Sequence, residues 1–130
     1  MAKRDVIAIV DDDPLVRETV DDLLASSGYS SVVFASGQQL LKSKRLGTFA
    51  CLVTDIRMPR MSGIQLYRRL VATGHDIPTI LITAYPDEAD QARVLAEGVL
   101  CYLPKPFAPD VLLRCIATAL ATRPGPSQNI

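Results

Sequence analysis

The sequence predicts a doubly wound α/β domain: a five-stranded parallel sheet with helices on both faces. Short apolar runs alternate five times with stretches of helical periodicity, which implies parallel strands joined by right-handed crossovers. Those runs are continuously hydrophobic rather than alternating, as in strands buried on both faces. Several of them also end on carboxylates, a hydroxyl or an ammonium, and open parallel sheets collect ligands outside the carboxyl ends of their strands.

The elements follow in order. Val6 to Val10 (V-I-A-I-V) is mostly β-branched and ends at Asp11-Asp12-Asp13-Pro14, which suits a first strand and an acidic turn. Pro14 fits the first helical position behind a capping Asp13. Val16, Val20, Leu23, Leu24 and Ser27 then recur at helical spacing, Arg17, Glu18, Asp21 and Asp22 lie mostly on the other side, and Gly28 closes the helix. Ser31 to Ala35 reads as a second strand. Ser36 with Gln39 has the form of a capping box for a helix reaching about Lys44, where Lys42, Lys44 and Arg45 suit the helix dipole.

Cys51 to Gly63 (C-L-V-T-D-I-R-M-P-R-M-S-G) supplies a third strand that delivers Asp55 and then breaks. A helix from Ser62 to Thr73 places Ile64, Tyr67, Leu70 and Val71 on one face, and Gly74-His75-Asp76 turns out of it. The single histidine, His75, sits in a polar loop without a second ligand, so neither a metal nor a catalytic role is expected. Pro78 to Thr83 is a fourth strand. Asp87 caps a helix to Glu97 that Gly98 stops, and Leu100 to Pro104 is a fifth strand, ended by Pro104-Lys105-Pro106. Pro109 opens a last helix through Leu112, Leu113, Ile116 and Leu120 to about Thr122. The domain is expected over residues 1–122, with a disordered tail at 123–130.

Composition narrows the function. At 130 residues the chain suits one domain. Lys plus Arg (14) balance Asp plus Glu (14), so no overall field draws it to nucleic acid or an anionic membrane. The apolar run after Met1-Ala2-Lys3-Arg4 is too short for a signal peptide or a membrane span, and a cytoplasmic protein is expected. Cys51, Cys101 and Cys115 are odd in number, widely spaced and set among apolar residues, which suits buried small hydrophobes rather than disulfides or zinc ligands.

Asp11, Asp12 and Asp13 follow the first strand, Asp55 ends the third, Thr83 the fourth, and Lys105 follows the fifth. Two bare carboxylates about 4 Å apart repel by about 4 kcal/mol at an effective dielectric of 20. A hard divalent cation such as Mg²⁺ would hold them, Lys105 would balance further charge, and Thr83 could donate to an oxyanion. This set suits a carboxylate that accepts a phosphoryl group to give an aspartyl phosphate.

Four segments, I-V-D-D-D-P at Ile9 to Pro14, V-T-D-I-R-M-P-R-M-S-G at Val53 to Gly63, I-L-I-T-A at Ile80 to Ala84 and C-Y-L-P-K-P-F at Cys101 to Phe107, carry a resemblance. Over about residues 5 to 122 the chain resembles the receiver domains of two-component response regulators. The resemblance implies a flavodoxin-like (βα)5 sandwich with strand order 2-1-3-4-5, and Asp55 as phosphoacceptor for a histidine-kinase phosphohistidine. It implies Mg²⁺, or Mn²⁺, held by Asp12 and Asp55 directly, by Asp11 through water, and by the Arg57 backbone carbonyl, with Asp13 kept as the helix cap. Thr83, Ala84 and Lys105 would bind the phosphoryl oxygens, and Lys105-Pro106 would be cis.

By the same resemblance, Thr83 is a switch hydroxyl and Tyr102 a switch aromatic that turns inward on activation. A partner then reads the face of the fourth helix, fifth strand and fifth helix. The implied partners are a histidine kinase or phosphotransfer protein upstream and an output protein or domain downstream, with a homodimer on phosphorylation as a further possibility. The domain would assist its own Mg²⁺-dependent phosphotransfer and dephosphorylation and is not otherwise an enzyme. The motif style is similar to the nitrogen-fixation branch of transcriptional regulators. Met1 and the short polar tail suit a stand-alone receiver, whereas a hydrophilic linker to an output domain could begin at Arg123.

Pro104 before Lys105 and Pro86 after Thr83 depart from the pattern and bear on how far the switch moves. The rival from another class is a haloacid-dehalogenase-like phosphatase with Asp11 as nucleophile and Asp13 as acid/base, but it needs a further acidic pair and a cap insertion that the sequence does not show. A flavodoxin-like cofactor binder would need a Ser/Thr/Gly-rich phosphate loop where three aspartates stand. A receiver acting only as an unphosphorylated binding module is the third alternative.

Overall fold

The computed structural model describes residues 5–122; the expected tail at 123–130 lies outside them. The elements are β1 (Val6–Val10), α1 (Pro14–Ser26), β2 (Ser30–Phe34), α2 (Gly37–Leu41), a 3-10 turn (Leu46–Thr48), β3 (Phe49–Asp55), α3 (Gly63–Ala72), β4 (Thr79–Thr83), α4 (Glu88–Glu97), β5 (Cys101–Pro104) and α5 (Pro109–Thr122). The strands pair in parallel in the order β2-β1-β3-β4-β5, the expected doubly wound sheet.

Side-chain alternation along each strand divides the core. Ile7, Ile9, Cys51, Val53, Ile80 and Ile82 pack on Val20 and Leu24 of α1 and Leu112, Ile116 and Ala119 of α5. Ala8, Val10 and Leu52 face the other way, onto Leu40 of α2 and Leu66 and Leu70 of α3. Leu81 and Tyr102 continue that second face under Tyr67 of α3 and Val94 of α4. Each fully buried Leu or Ile contributes about 1.5–3 kcal/mol, so both faces must be covered for the sheet to hold. Among the described residues no helix is long and apolar enough to cross a membrane.

Caps fix where the helices begin. The Asp13 carboxylate accepts from Leu15 N (2.9 Å) at the start of α1, Asp87 accepts from Asp90 N at α4, and Gly98 ends α4 with φ +116°. At α3 a full capping box forms, with Ser62 Oγ accepting from Gln65 N and Gln65 Oε1 accepting from Ser62 N. The Ser36 box expected at α2 is half made. Ser36 accepts from Gln39 N, but Gln39 Oε1 takes the Ala35 N–H instead of that of Ser36.

Other differences from the sequence reading are local. α2 stops at Leu41, short of the expected Lys44; β2 starts one residue earlier than expected, and β3 starts at Phe49 behind the unforeseen 3-10 turn. On α3 the buried stripe is Gly63, Leu66, Tyr67 and Leu70, while Val71 is 54% exposed, because one residue past Leu70 the helix has turned by about 100°. Ser27 likewise faces solvent. Of the cysteines only Cys51 is buried; Cys101 and Cys115 are half-buried at the edge of the same core. Burial pushes the Cys51 thiol up to about 12, and burial with the neighbouring Cys115 does the same for Cys101.

Candidate functional site

Strand register brings the chemistry together. Val10 is paired with Thr54, so the next residues, Asp11 and Asp55, leave the sheet side by side. Asp55 is paired with Ile82, and Thr83 with Pro104, so Thr83 and Lys105 leave at the same edge. Lys105 N donates to Thr83 O (2.7 Å), which fixes the start of the β5–α5 loop, and the Lys105-Pro106 bond is cis.

One carboxylate oxygen from each of Asp11, Asp12 and Asp55 lies within 4.8 Å of the other two, Asp11 and Asp55 being buried and Asp12 exposed. Lys105 Nζ lies 2.7 Å from Asp55 Oδ1 and 3.6 Å from Asp11 Oδ2. Burial raises the Asp11 pKa above its usual value and the charges of Asp55 and Asp12 add to this, while the Asp13 amide and Lys105 oppose it. For Lys105, burial alone would lower the pKa, but the hydrogen bond to Asp55 and the charges of Asp11 and Asp55 raise it, so the ammonium stays charged at neutral pH. Three clustered carboxylates facing one ammonium leave room for a further cation, and an all-oxygen donor set of this kind fits Mg²⁺ or Mn²⁺. Asp13 turns away to cap α1, while its N–H donates to Asp11 Oδ1 (2.9 Å).

The remaining candidates lie around this cluster. Thr83 is buried, and its hydroxyl accepts from Tyr85 N (3.0 Å). Ala84 is exposed at the rim. Arg57 points its guanidinium over the Tyr85 ring, 4.3 Å from the centroid. Tyr102 does not lie in the cluster: it is 7% exposed and its hydroxyl accepts from Asp87 N (3.0 Å), so the ring is already turned inward. Arg57, Thr83, Tyr85 and Tyr102 together line a hollow of about 300 Å³ between the acidic site and α4.

Two residues went unnoticed in the sequence. Arg17, read as part of the polar side of α1, reaches back to donate from Nη1 to the Asp11 carbonyl (2.8 Å). Tyr85 supplies both the amide that holds Thr83 and the ring beneath Arg57. An arginine one helical turn past an acidic turn is the signal that could have found the first; nothing in the sequence pattern marks the second.

The profile of the response regulator receiver domain family matches residues 7–117. This chain belongs to that family. The response regulator protein TmoT of Ectopseudomonas mendocina is 36% identical over 124 residues, covering 95% of this chain and 56% of that protein. The transcriptional regulatory protein FixJ of Bradyrhizobium diazoefficiens is 31% identical over 120 residues, covering 92% of this chain and 58% of FixJ. The chain thus spans about half the length of these curated relatives. Among solved structures, the FixJ N-terminal fragment superposes with a TM-score of 0.84 at 29% identity, covering 95% of this chain and 99% of that one. The response regulator StyR gives 0.85 at 38%, covering 92% and 60%. Receiver domains are signalling modules of two-component systems, and an acidic site compatible with Mg²⁺ is what this receiver presents.

Proposed function

We propose that this receiver takes a phosphoryl group from the phosphohistidine of a histidine kinase or phosphotransfer protein onto Asp55 and passes the change to a partner through α4, β5 and α5. The observation that carries the reading is the convergence of Asp11, Asp12 and Asp55 under the Lys105 ammonium, 2.7 Å from Asp55 Oδ1. An Asp55 carboxylate oxygen forms the new bond to phosphorus as the phosphorus–nitrogen bond breaks, and the electron pair stays on the imidazole, which takes up a proton. Asp12 and Asp55 would hold Mg²⁺ directly, Asp11 through water and Arg57 through its carbonyl. When bound, the ion supplies Lewis-acid neutralisation of the transferring oxygens. Lys105 shifts from pairing with the carboxylates to pairing with a phosphoryl oxygen.

The donor's approach is supported by an apolar groove of about 930 Å³ lined by Leu15, Val16, Leu23, Pro106 and Phe107, with Ala84 and Lys105 at its acidic-site end. Leu15 is 68% exposed there. A surface that is apolar along α1 and continuous with the phosphoacceptor suits the apolar flank of a helix carrying a phosphohistidine.

Phosphorylation adds about 1.5 to 2 negative charges and three acceptor oxygens. The Thr83 hydroxyl gives up the Tyr85 amide and donates to one of those oxygens, and the Ala84 N–H joins it. Moving a switch from 1:99 to 99:1 takes about 5.5 kcal/mol of differential interaction. Three charge-assisted hydrogen bonds near the upper end of about 1.5–3 kcal/mol each supply it even after about 1 kcal/mol is lost with the Thr83–Tyr85 bond. Tyr102 already faces inward, so its part is to keep α4 docked through Asp87 in the active state. This receiver works in the cytoplasm, and what it acts on is an output domain, a separate protein or, on phosphorylation, a second copy of itself.

Intact mass or Phos-tag migration after treatment with acetyl phosphate and Mg²⁺ tests this. Wild type gains one phosphoryl group and Asp55→Asn gains none; undiminished labelling of the variant sinks the proposal. No labelling of wild type by either acetyl phosphate or a phosphorylated kinase would favour the unphosphorylated binding module.

A further inference from the structure

We infer that the outer edge of α3 is a docking surface for an acidic segment of a partner protein that carries an aliphatic side chain among its carboxylates. Arg60 and Met61 of the β3–α3 loop join Gln65, Arg68, Arg69 and Ala72 of α3 around an open hollow of about 420 Å³. No carboxylate lines it. In a chain whose formal net charge is zero, three guanidinium groups around one hollow are a local excess of positive charge.

The three arginines differ in what already occupies them. Arg68 is held in a fork by Glu97 of α4, with Nε at 2.9 Å and Nη2 at 2.8 Å from the two carboxylate oxygens. Among the described residues Arg60 and Arg69 make no ion pair or side-chain hydrogen bond. Arg60 also stands at φ +70°, a conformation costly for a non-glycine residue, in the turn that presents its side chain to the hollow. Planar, weakly hydrated guanidinium groups match carboxylates in pairs, which suits this surface to acidic side chains.

The apolar half of the surface lies beside the arginines. Tyr67, Val71 and Ala72 form a second hollow of about 270 Å³ whose walls are Arg68 and Glu97. Val71, 54% exposed, faces it. The Tyr67 hydroxyl donates to the Glu97 carbonyl (2.9 Å), so the seam between α3 and the end of α4 is fixed rather than loose. An aliphatic side chain fits the second hollow while flanking carboxylates meet Arg60 and Arg69. A nucleic acid fits less well, since Tyr67 is 7% exposed and offers no ring face to stack a base. Because Glu97 competes with the partner's carboxylates for Arg68, docking here also pulls on the α4 end of the seam.

The test uses unphosphorylated protein and a fluorescein-labelled peptide with the core Glu-Glu-Leu-Glu-Glu, followed by fluorescence anisotropy at low salt. Saturable binding is expected to wild type, weakened at least about tenfold in the Arg60→Glu/Arg69→Glu variant. Val71→Ser weakens it, and replacing the peptide's Leu with Ser does so without any change to the protein. Glu97→Gln, which releases Arg68, strengthens it. Arg114→Glu, whose arginine is ion-paired to Asp110 on α5, leaves it unchanged, as does Asp55→Asn, which separates this inference from the phosphorylation reading. Apart from the buried Asp55, all substituted side chains are exposed, and thermal melts check that each variant folds. The inference is overturned by no saturable binding, by an equal loss in Arg114→Glu, by no gain in Glu97→Gln, or by tighter binding of a single-stranded oligonucleotide of matched charge.

Discussion

Lys105 donates to Asp55 across the carboxyl ends of β3 and β5, Nζ lying 2.7 Å from Oδ1. One ammonium therefore compensates a carboxylate whose side chain is only 9% exposed, with Asp11 Oδ2 also 3.6 Å from the same nitrogen. Removing it leaves two buried carboxylates facing each other. Lys105→Met is expected to lose about 1–3 kcal/mol of stability without divalent ions. Mg²⁺ should restore part of that loss by binding the folded state alone, so the rise in Tm on adding Mg²⁺ should be larger in the variant than in wild type. An equal or smaller rise would show that Lys105 does not set the charge balance of the cation site.

Gly63, the first residue of α3, packs directly against the backbone at the end of β3. A Cβ at this position would collide with the Asp55 carbonyl oxygen and press on Ile56 Cα at 3.2 Å, while Gly63 N donates to Ile56 O at 2.9 Å. Because the obstacle is backbone, it cannot rotate away. Gly63→Ala is expected to cost about 1–3 kcal/mol through displacement of the α3 start. The same shift moves Asp55, so the rate of labelling by acetyl phosphate falls as well. Urea unfolding and a labelling time course check both; a variant with wild-type stability and rate would mean the loop gives way without moving Asp55.

Much of this arrangement is legible in the sequence because strand ends are. Continuous apolar runs mark strands buried on both faces, and Asp11, Asp55, Thr83 and Lys105 each sit one step from the end of such a run, so the parallel register alone brings them together. Contacts that depend on which way a polar side chain turns are not legible. Arg17 has the pattern of a solvated helix residue yet reaches the Asp11 carbonyl, and Tyr67 meets Glu97 30 residues along the chain. Val71 shows a third limit. Spacing alone places it near the buried stripe, but burial falls off within about 100° of helical rotation.

Tyr102 accepts the Asp87 N–H through its hydroxyl, and Asp87 is the N-cap of α4. The phenol oxygen thus ties β5 to the first turn of α4. Tyr102→Phe keeps the ring and its packing but leaves that amide without its acceptor, a loss of about 1 kcal/mol. Hydrogen exchange at the Asp87 amide should accelerate by about fivefold, with smaller effects at Glu88 and beyond. An unchanged exchange rate at Asp87 would show that water or another group satisfies the amide as well as the phenol does.

Arg17 holds the acidic turn from behind. Its Nη1 donates to the Asp11 carbonyl at 2.8 Å, while the Asp11 carboxylate is fixed from in front by the Asp13 N–H at 2.9 Å. With both ends of Asp11 held, its carboxylate faces Asp12 and Asp55 without further ordering. Arg17→Ala removes a charge-assisted hydrogen bond of about 1.5–3 kcal/mol and lets the turn relax, so Mg²⁺ affinity measured by calorimetry should fall about tenfold. The guanidinium also places positive charge near the site, and its loss taken alone would strengthen cation binding. The sign of the change therefore separates the two roles. Weaker Mg²⁺ binding shows that Arg17 acts by positioning Asp11, and tighter binding shows that its charge was the larger effect.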